Sequence, residues 1–203
     1  MSAANRATEH RQERFVDEDW YGRELVGETF VDCAFRDVDL TEAVTNGCTF
    51  ESCEIDNSRL NASSHHATAF VACTFRRTSF FDATLDGCKM TGSVFVECTL
   101  RPLTVRGGQW RGVTMRGARL TGLDLRDLLL QDADLSEADL SDADLSGADL
   151  TGAALRGTTL HRADLRGTRL DRVDLAATLM RETRLDLAGA VQLAECHGAT
   201  VSP

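Results

Sequence analysis

Between Asp132 and Leu150 the chain reads DADLSEADLSDADLSGADL, with a leucine at every fifth residue and mostly polar residues between. Neither common element has that period. A helix advances about 100° per residue, so a step of five leaves about 140° and scatters the leucines around the cylinder. A strand alternates faces at every residue, so an odd step turns the leucine over each time. The pattern points to a repeat architecture rather than to one long element.

The same step runs through most of the chain. Residues numbered in multiples of five, from Phe15 to Leu185, are apolar except Thr45 and His65. Eight of the nine phenylalanines and both tryptophans sit in this register. Two residues earlier the side chains are small or thin: Cys33, Cys48, Cys53, Cys73, Cys88 and Cys98, then Ala133, Ala138, Ala143 and Ala148. The remaining three positions are polar in most units. Each unit of five therefore buries one large and one small side chain. A longer step of 20 is also visible, in Cys33, Cys53 and Cys73, in Phe30, Phe50 and Phe70, and in the two exceptions Thr45 and His65.

Tandem A(D/N)LXX resembles the signature of the pentapeptide-repeat family over roughly residues 15–185. The resemblance implies an all-β fold, a right-handed quadrilateral parallel β-helix in which four units make one coil of 20 residues. Thr45 and His65 then become neighbours in one column. Coils at the strand spacing of ~4.8 Å give about 8.5 turns and a rod of roughly 41 Å. Each coil is stabilised mainly by its neighbours, and the end coils need caps. Trp20 and Tyr21 are the bulky candidates at the N-terminal end. After Leu185 the period stops. Leu187, Ala190, Val191 and Ala194 are spaced as an amphipathic helical segment. The expected organisation is a disordered tail over 1–14, the β-helix over 15–186 and a helical cap over 187–203. The segment RPLTVRGGQWRG, residues 101–112, stays in phase but holds the internal proline and a Gly-Gly pair. It reads as a bulged or kinked coil, with a short surface loop as the alternative.

The seven cysteines contain no C-x-x-C spacing and no zinc pattern, and the register places six of them inside as small hydrophobes. Cys196 falls outside the repeat and is the candidate exposed thiol. His65 reads as a buried, hydrogen-bonded side chain. No nucleophile elbow, phosphate loop or paired carboxylates stand out, and a filled β-helix leaves no large pocket. No catalytic residue, metal or cofactor is expected. The polar N-terminus has no apolar h-region and no stretch approaches the ~20 apolar residues of a membrane span, which fits a cytoplasmic protein.

Charge carries the remaining information. The 203 residues have a net charge of -10. From Gly122 to Leu150 there are nine acids and one base, Arg126, a net of -8. At the strand spacing that is roughly one net charge per Å of rod, against one per ~1.7 Å in duplex DNA. Residues 15–60 form a second acidic zone, with twelve acids and three bases. Residues 101–121 are the reverse, with five arginines and no acid. Such a surface repels nucleic acid and anionic membranes and suits cationic partners. Acidic repeats that merely keep a stackable rod soluble are the plain alternative.

Within the family the chain is most similar to the MfpA/Qnr type, in length, in aromatic residues at the central position of the N-terminal half, in acidity and in its C-terminal segment. That resemblance implies a non-enzymatic DNA mimic. Its partner would be DNA gyrase or topoisomerase IV, and the outcome inhibition or protection against poisons such as quinolones. The implied partner surface is Asp124, Asp127, Asp132, Asp134, Glu137, Asp139, Asp142, Asp144, Asp149 and Asp164. The implied homodimer forms through the C-terminal end, with Met180, Leu185, Leu187, Val191 and Leu193 in contact. The arginine block interrupts the acidic surface. A protein-interaction scaffold unrelated to topoisomerase is the competing reading.

Overall fold

The computed structural model describes residues 8–202. Fourteen short strands form among them: β1 (Glu9–Arg11), β2 (Arg14–Val16), β3 (Glu24–Val26), β4 (Thr29–Val31), β5 (Ala34–Arg36), β6 (Val44–Asn46), β7 (Thr49–Glu51), β8 (Glu54–Asp56), β9 (Ser64–His66), β10 (Ala69–Val71), β11 (Thr74–Arg76), β12 (Ala83–Asp86), β13 (Val94–Val96) and β14 (Leu103–Arg106). Every pairing is parallel and joins a residue to the one 20 positions on, as in Phe30 with Phe50 and Phe50 with Phe70. Three sheets result: β1-β4-β7-β10, β13-β11-β8-β5-β2 and β14-β12-β9-β6-β3. A fourth column consists of single-residue bridges through Asp19, Asp39, Arg59, Ser79 and Thr99. Four faces with a 20-residue turn make the fold a four-sided parallel β-solenoid.

The multiples of five point inward. Phe30, Phe50 and Phe70 stack face to face, with ring centroids 4.7 and 4.8 Å apart, which is the strand spacing. The two exceptions in the register meet. His65 Nδ1 lies 2.8 Å from Thr45 Oγ1, and Nε2 lies 2.9 Å from Ser63 Oγ. Ser63 gives its own proton to the Leu60 carbonyl. Nε2 therefore donates to Ser63, and in the neutral ring that full burial favours Nδ1 accepts from Thr45. Burial, and then the charge of His66, push His65 down to about 4.

Beyond β14 the ladder thins to single-residue bridges that continue to Asp164 and Arg184. The sequence explains the change. In this half an aspartate precedes seven of the in-register leucines, and its Oδ1 accepts the backbone N–H two residues on. Asp134 with Ser136, Asp139 with Ser141, and Asp144 with Ser146 each do so at 3.0 Å. These Asx turns bend the chain straight after the leucine and shorten the strand. The residue that follows sits in the left-handed region, as at Asp127, Asp132, Glu137 and Asp142.

The two ends of the rod differ. At the N-terminal end the first strand begins at Glu9, ahead of the start at Phe15 that the register gives, so residues 9–14 belong to the solenoid and not to a tail. His10 takes the core position there and stacks on Phe30 at 4.6 Å. The remainder of the expected tail, residues 1–7, lies outside the described residues. Trp20 is buried beneath the guanidinium of Arg23, 4.1 Å from its ring, whereas Tyr21 is exposed. At the C-terminal end α1 (Leu187–Cys196) is capped by Asp186, whose side chain accepts from Gly189 N–H and Gly167 N–H. Gln192 on α1 donates to the carbonyls of Leu170 and Val173, satisfying acceptors that the last coil would otherwise leave open. Cys196 packs half-buried against the core instead of standing exposed. Of the other cysteines, Cys98 is also half-buried and five are buried.

Candidate partner-binding surface

Asp124, Asp144 and Asp164 are successive parallel partners on one face, so their carboxylates form a column with one coil between neighbours. Asp134, Asp139 and Asp149 occupy the equivalent position on the other three faces. Asp127, Asp132, Glu137 and Asp142 stand at the corners between faces, where the left-handed residue projects outward. The ten expected residues therefore surround about three coils rather than sharing one side. Asp149 and Asp164 are the least accessible, each 9% exposed.

Arginines thread this surface. Arg126 grips Asp124 in a two-point contact at 2.8 and 2.6 Å. Arg162 does the same to Asp142 at 2.6 and 2.7 Å. Arg166 holds Asp164 at 2.6 Å, with Arg184 at 3.7 Å. Arg116 reaches Glu137 at 2.7 Å, and Arg111 and Arg172 reach Asp132 at 3.1 and 3.7 Å. Asp149 faces Arg169 at 3.7 Å. Asp127, Asp134 and Asp139 make no ion pair among the described residues. The hydrogen bond from Arg166 holds Asp164 down to about 2. Those from Arg126, Arg162 and the Ser141 hydroxyl lower Asp124, Asp142 and Asp139. The partners lie one coil away in several pairs, as in Asp142 with Arg162, a relation set by the 20-residue turn.

The five residues expected at a subunit contact divide in two. Met180, Leu185 and Leu193 pack partly buried against the rod's own core. Val191 is half-buried, and Leu187 at the start of α1 is 82% exposed. No group of three or more His, Cys, Asp or Glu is placed to hold a metal among the described residues. No helix among them is long and apolar enough to cross a membrane.

The arginine block, whose residues 101–112 read as a bulged or kinked coil, marks a break in the ladder. Bonds such as Leu120 N–H to Asp139 O and Leu125 N–H to Asp144 O, at 2.8 Å, tie each coil to the next. One coil earlier, the equivalent bonds from Leu100 to Arg119 and from Val105 to Asp124 are not made. The ladder is intact on one side, with Phe95 N–H to Thr114 O at 2.9 Å, and closes again with Trp110 N–H to Leu129 O at 2.8 Å. Between those points two coils part. Residues 101–112 form no loop: Leu103–Arg106 is the strand β14, and Gly108 closes the kink at φ 117°, where a Cβ would lie 2.3 Å from the Cys88 carbonyl.

A five-residue period with inward leucines, wound into a four-sided coil, defines a pentapeptide-repeat solenoid, and the comparisons agree. The family pattern for pentapeptide repeats matches residues 129–167 in eight copies. The chain thus carries pentapeptide repeats and is similar to the MfpA/Qnr group. It is 38% identical over 81 residues to the pentapeptide repeat protein MfpA of Mycobacterium tuberculosis, an alignment covering 37% of this chain and 44% of that protein. The matched part thus spans less than half of that relative. Among solved structures, a trypsin-treated variant of QnrB1, a plasmid-mediated fluoroquinolone resistance protein, superposes with a TM-score of 0.80 at 21% identity, covering 95% of this chain and 99% of that one. Full-length QnrB1 superposes at 0.56 with 18% identity, covering 94% and 100%. At these identities the solved structures speak for the fold.

Proposed function

We propose that the chain is a non-enzymatic DNA mimic that binds DNA gyrase or topoisomerase IV in the cytoplasm, and so inhibits the enzyme or shields it from poisons such as quinolones. The observation that carries this reading is the Asp124–Asp144–Asp164 column, a row of carboxylates on three successive coils of a narrow rod. Asp127, Asp134 and Asp139 add carboxylates that no arginine grips among the described residues. A positively charged groove built for duplex DNA is the complementary surface. The resemblance to the MfpA/Qnr type supports the choice of a topoisomerase. The rod itself has no affinity for nucleic acid or membranes in this reading.

Two copies pair through the C-terminal end. Leu187 supplies the exposed apolar contact, and a two-fold axis there doubles the length of the acidic rod. The half-buried Met180, Leu185, Val191 and Leu193 support α1 from beneath.

A second reading keeps a specific observation behind it. Seven of the ten acids already hold arginine partners, which favours a protein-interaction scaffold with a solubilising surface. Titrating the chain into a supercoiling reaction of purified gyrase, with and without a quinolone, separates the two. Loss of supercoiling, or of drug-trapped cleavage, at about micromolar protein supports the mimic. No change at large excess favours the scaffold.

A further inference from the structure

The parted coils leave a β-edge in the middle of the rod. Among the described residues β14 pairs with β12 on one side and with nothing on the other. By the alternation seen in every other coil, Val105 N–H and Leu103 C=O point into the gap from β14, and Asp124 N–H and C=O point back from the coil above. Two adjoining grooves of about 520 and 640 Å³ open along the break. That size lies within the range of roughly 300–1,000 Å³ typical of ligand sites. Backbone groups left unpaired in this way template the addition of a strand.

The walls select what can be added. Arg101, Arg116 and Arg119 line one groove, and Arg101, Arg106 and Arg126 the other. Arg101, Arg106 and Arg119 are exposed and make no ion pair within 4 Å among the described residues, although Asp139, the parallel partner of Arg119, lies close enough to feel the charge of Arg101. The acids on these walls are Glu97 and Asp124, and Arg126 already neutralises the second. On a chain of net charge -10 this is a basic cleft with free guanidinium groups. Free guanidinium groups favour carboxylates or phosphates. The exposed edge requires alternating N–H and C=O groups, which a peptide has and a nucleic acid lacks.

We propose that the seam between residues 97–106 and 116–126 captures an extended acidic peptide segment of a partner protein. The segment pairs its backbone with β14 and sets its carboxylates against Arg101, Arg106 and Arg119. This surface adjoins the acidic column and shares Asp124 with it, but it binds through Arg101, Arg106 and Arg119 rather than through the carboxylates, so changes at those arginines test the proposal without touching the column on which the topoisomerase reading rests.

The test is fluorescence anisotropy of a labelled, end-blocked hexapeptide alternating glutamate and valine, added to the full chain. Saturable binding with a Kd below about 1 mM is expected. Two changes should each weaken it about tenfold or more. The first is the exposed pair Arg101→Glu with Arg119→Glu in the protein, with an unchanged urea midpoint showing that the rod is intact. The second is N-methylation of alternate amides in the peptide, which keeps its charge and removes its strand-pairing donors. Three results would overturn the proposal: no binding of the hexapeptide, equal binding of the N-methylated form, or tighter binding of a single-stranded oligonucleotide than of the peptide.

Discussion

Asp124 and Asp144 are parallel partners one coil apart, and the guanidinium of Arg126 serves both, with Nε 2.8 Å from Asp124 Oδ1 and 3.7 Å from Asp144 Oδ2. Arg126 is the one base between Gly122 and Leu150. Its removal frees two carboxylates of the column at once. Arg126→Gln should therefore bind gyrase more tightly than the unaltered chain and with a steeper salt dependence, since more charge is neutralised on association. Asp144→Asn should shift both quantities the other way. Binding isotherms at several salt concentrations check the pair, and equal affinities for all three proteins would remove the column from the interface.

Leu145 is completely buried and lies at the centre of the most regular repeats. Truncation to alanine leaves a cavity between stacked leucines and should cost about 2–5 kcal/mol. Urea unfolding monitored by circular dichroism measures it. Leu145→Lys places a charge in the same space and should prevent folding. A folded, soluble Leu145→Lys protein would contradict the inward register.

His65 makes stability depend on pH in one direction. Its folded value, about 4, lies below the unfolded value of 6.5. The unfolded chain binds a proton first as pH falls. Stability attributable to the neutral ring is thus intact above about pH 6.5 and is lost as pH drops towards 4. Between pH 7 and pH 5 the loss should be roughly 2 kcal/mol from this group alone. His65→Thr continues the Thr45 column without an ionisable ring. Its unfolding free energy should change less over that interval than that of the unaltered chain. Parallel pH profiles of the two proteins would show that the histidine does not titrate this way.

Leu187 is the exposed apolar side chain of α1, and Asp186 and Gln192 fix the helix to the rod independently of it. Leu187→Asp should convert a dimer to a monomer in analytical ultracentrifugation while leaving the thermal transition of the rod in place. A variant that remains dimeric would move the contact away from the C-terminal end.

The central side chains were legible residue by residue because the register never slips. The 20-residue step correctly brought Thr45 beside His65 and placed Asp124, Asp144 and Asp164 in one column. Two features were not legible. His10 is polar, so a rule based on apolar positions begins at Phe15, although a stacked imidazole fills that position as well as a phenyl ring does. The break beside β14 leaves the period unchanged, because a coil can keep its inward side chains while losing its ladder to the next. Only Pro102, which lacks an N–H, and the Gly107–Gly108 pair hinted at it. The arginine pairing lay between the two. Partners such as Arg162 with Asp142, or Arg111 with Asp132, are neighbours once positions about 20 apart are compared, and net charge counted along the chain conceals them.

The measurement that bears most directly on the account is competition between this rod and duplex DNA for gyrase. Labelled duplex bound to the purified enzyme is titrated with the chain, and anisotropy is read at two salt concentrations. A DNA mimic should displace the duplex completely, with an affinity that falls as salt rises. If the rod and the duplex occupy the enzyme together, or if the rod does not bind at all, the acidic column is not a substitute for DNA.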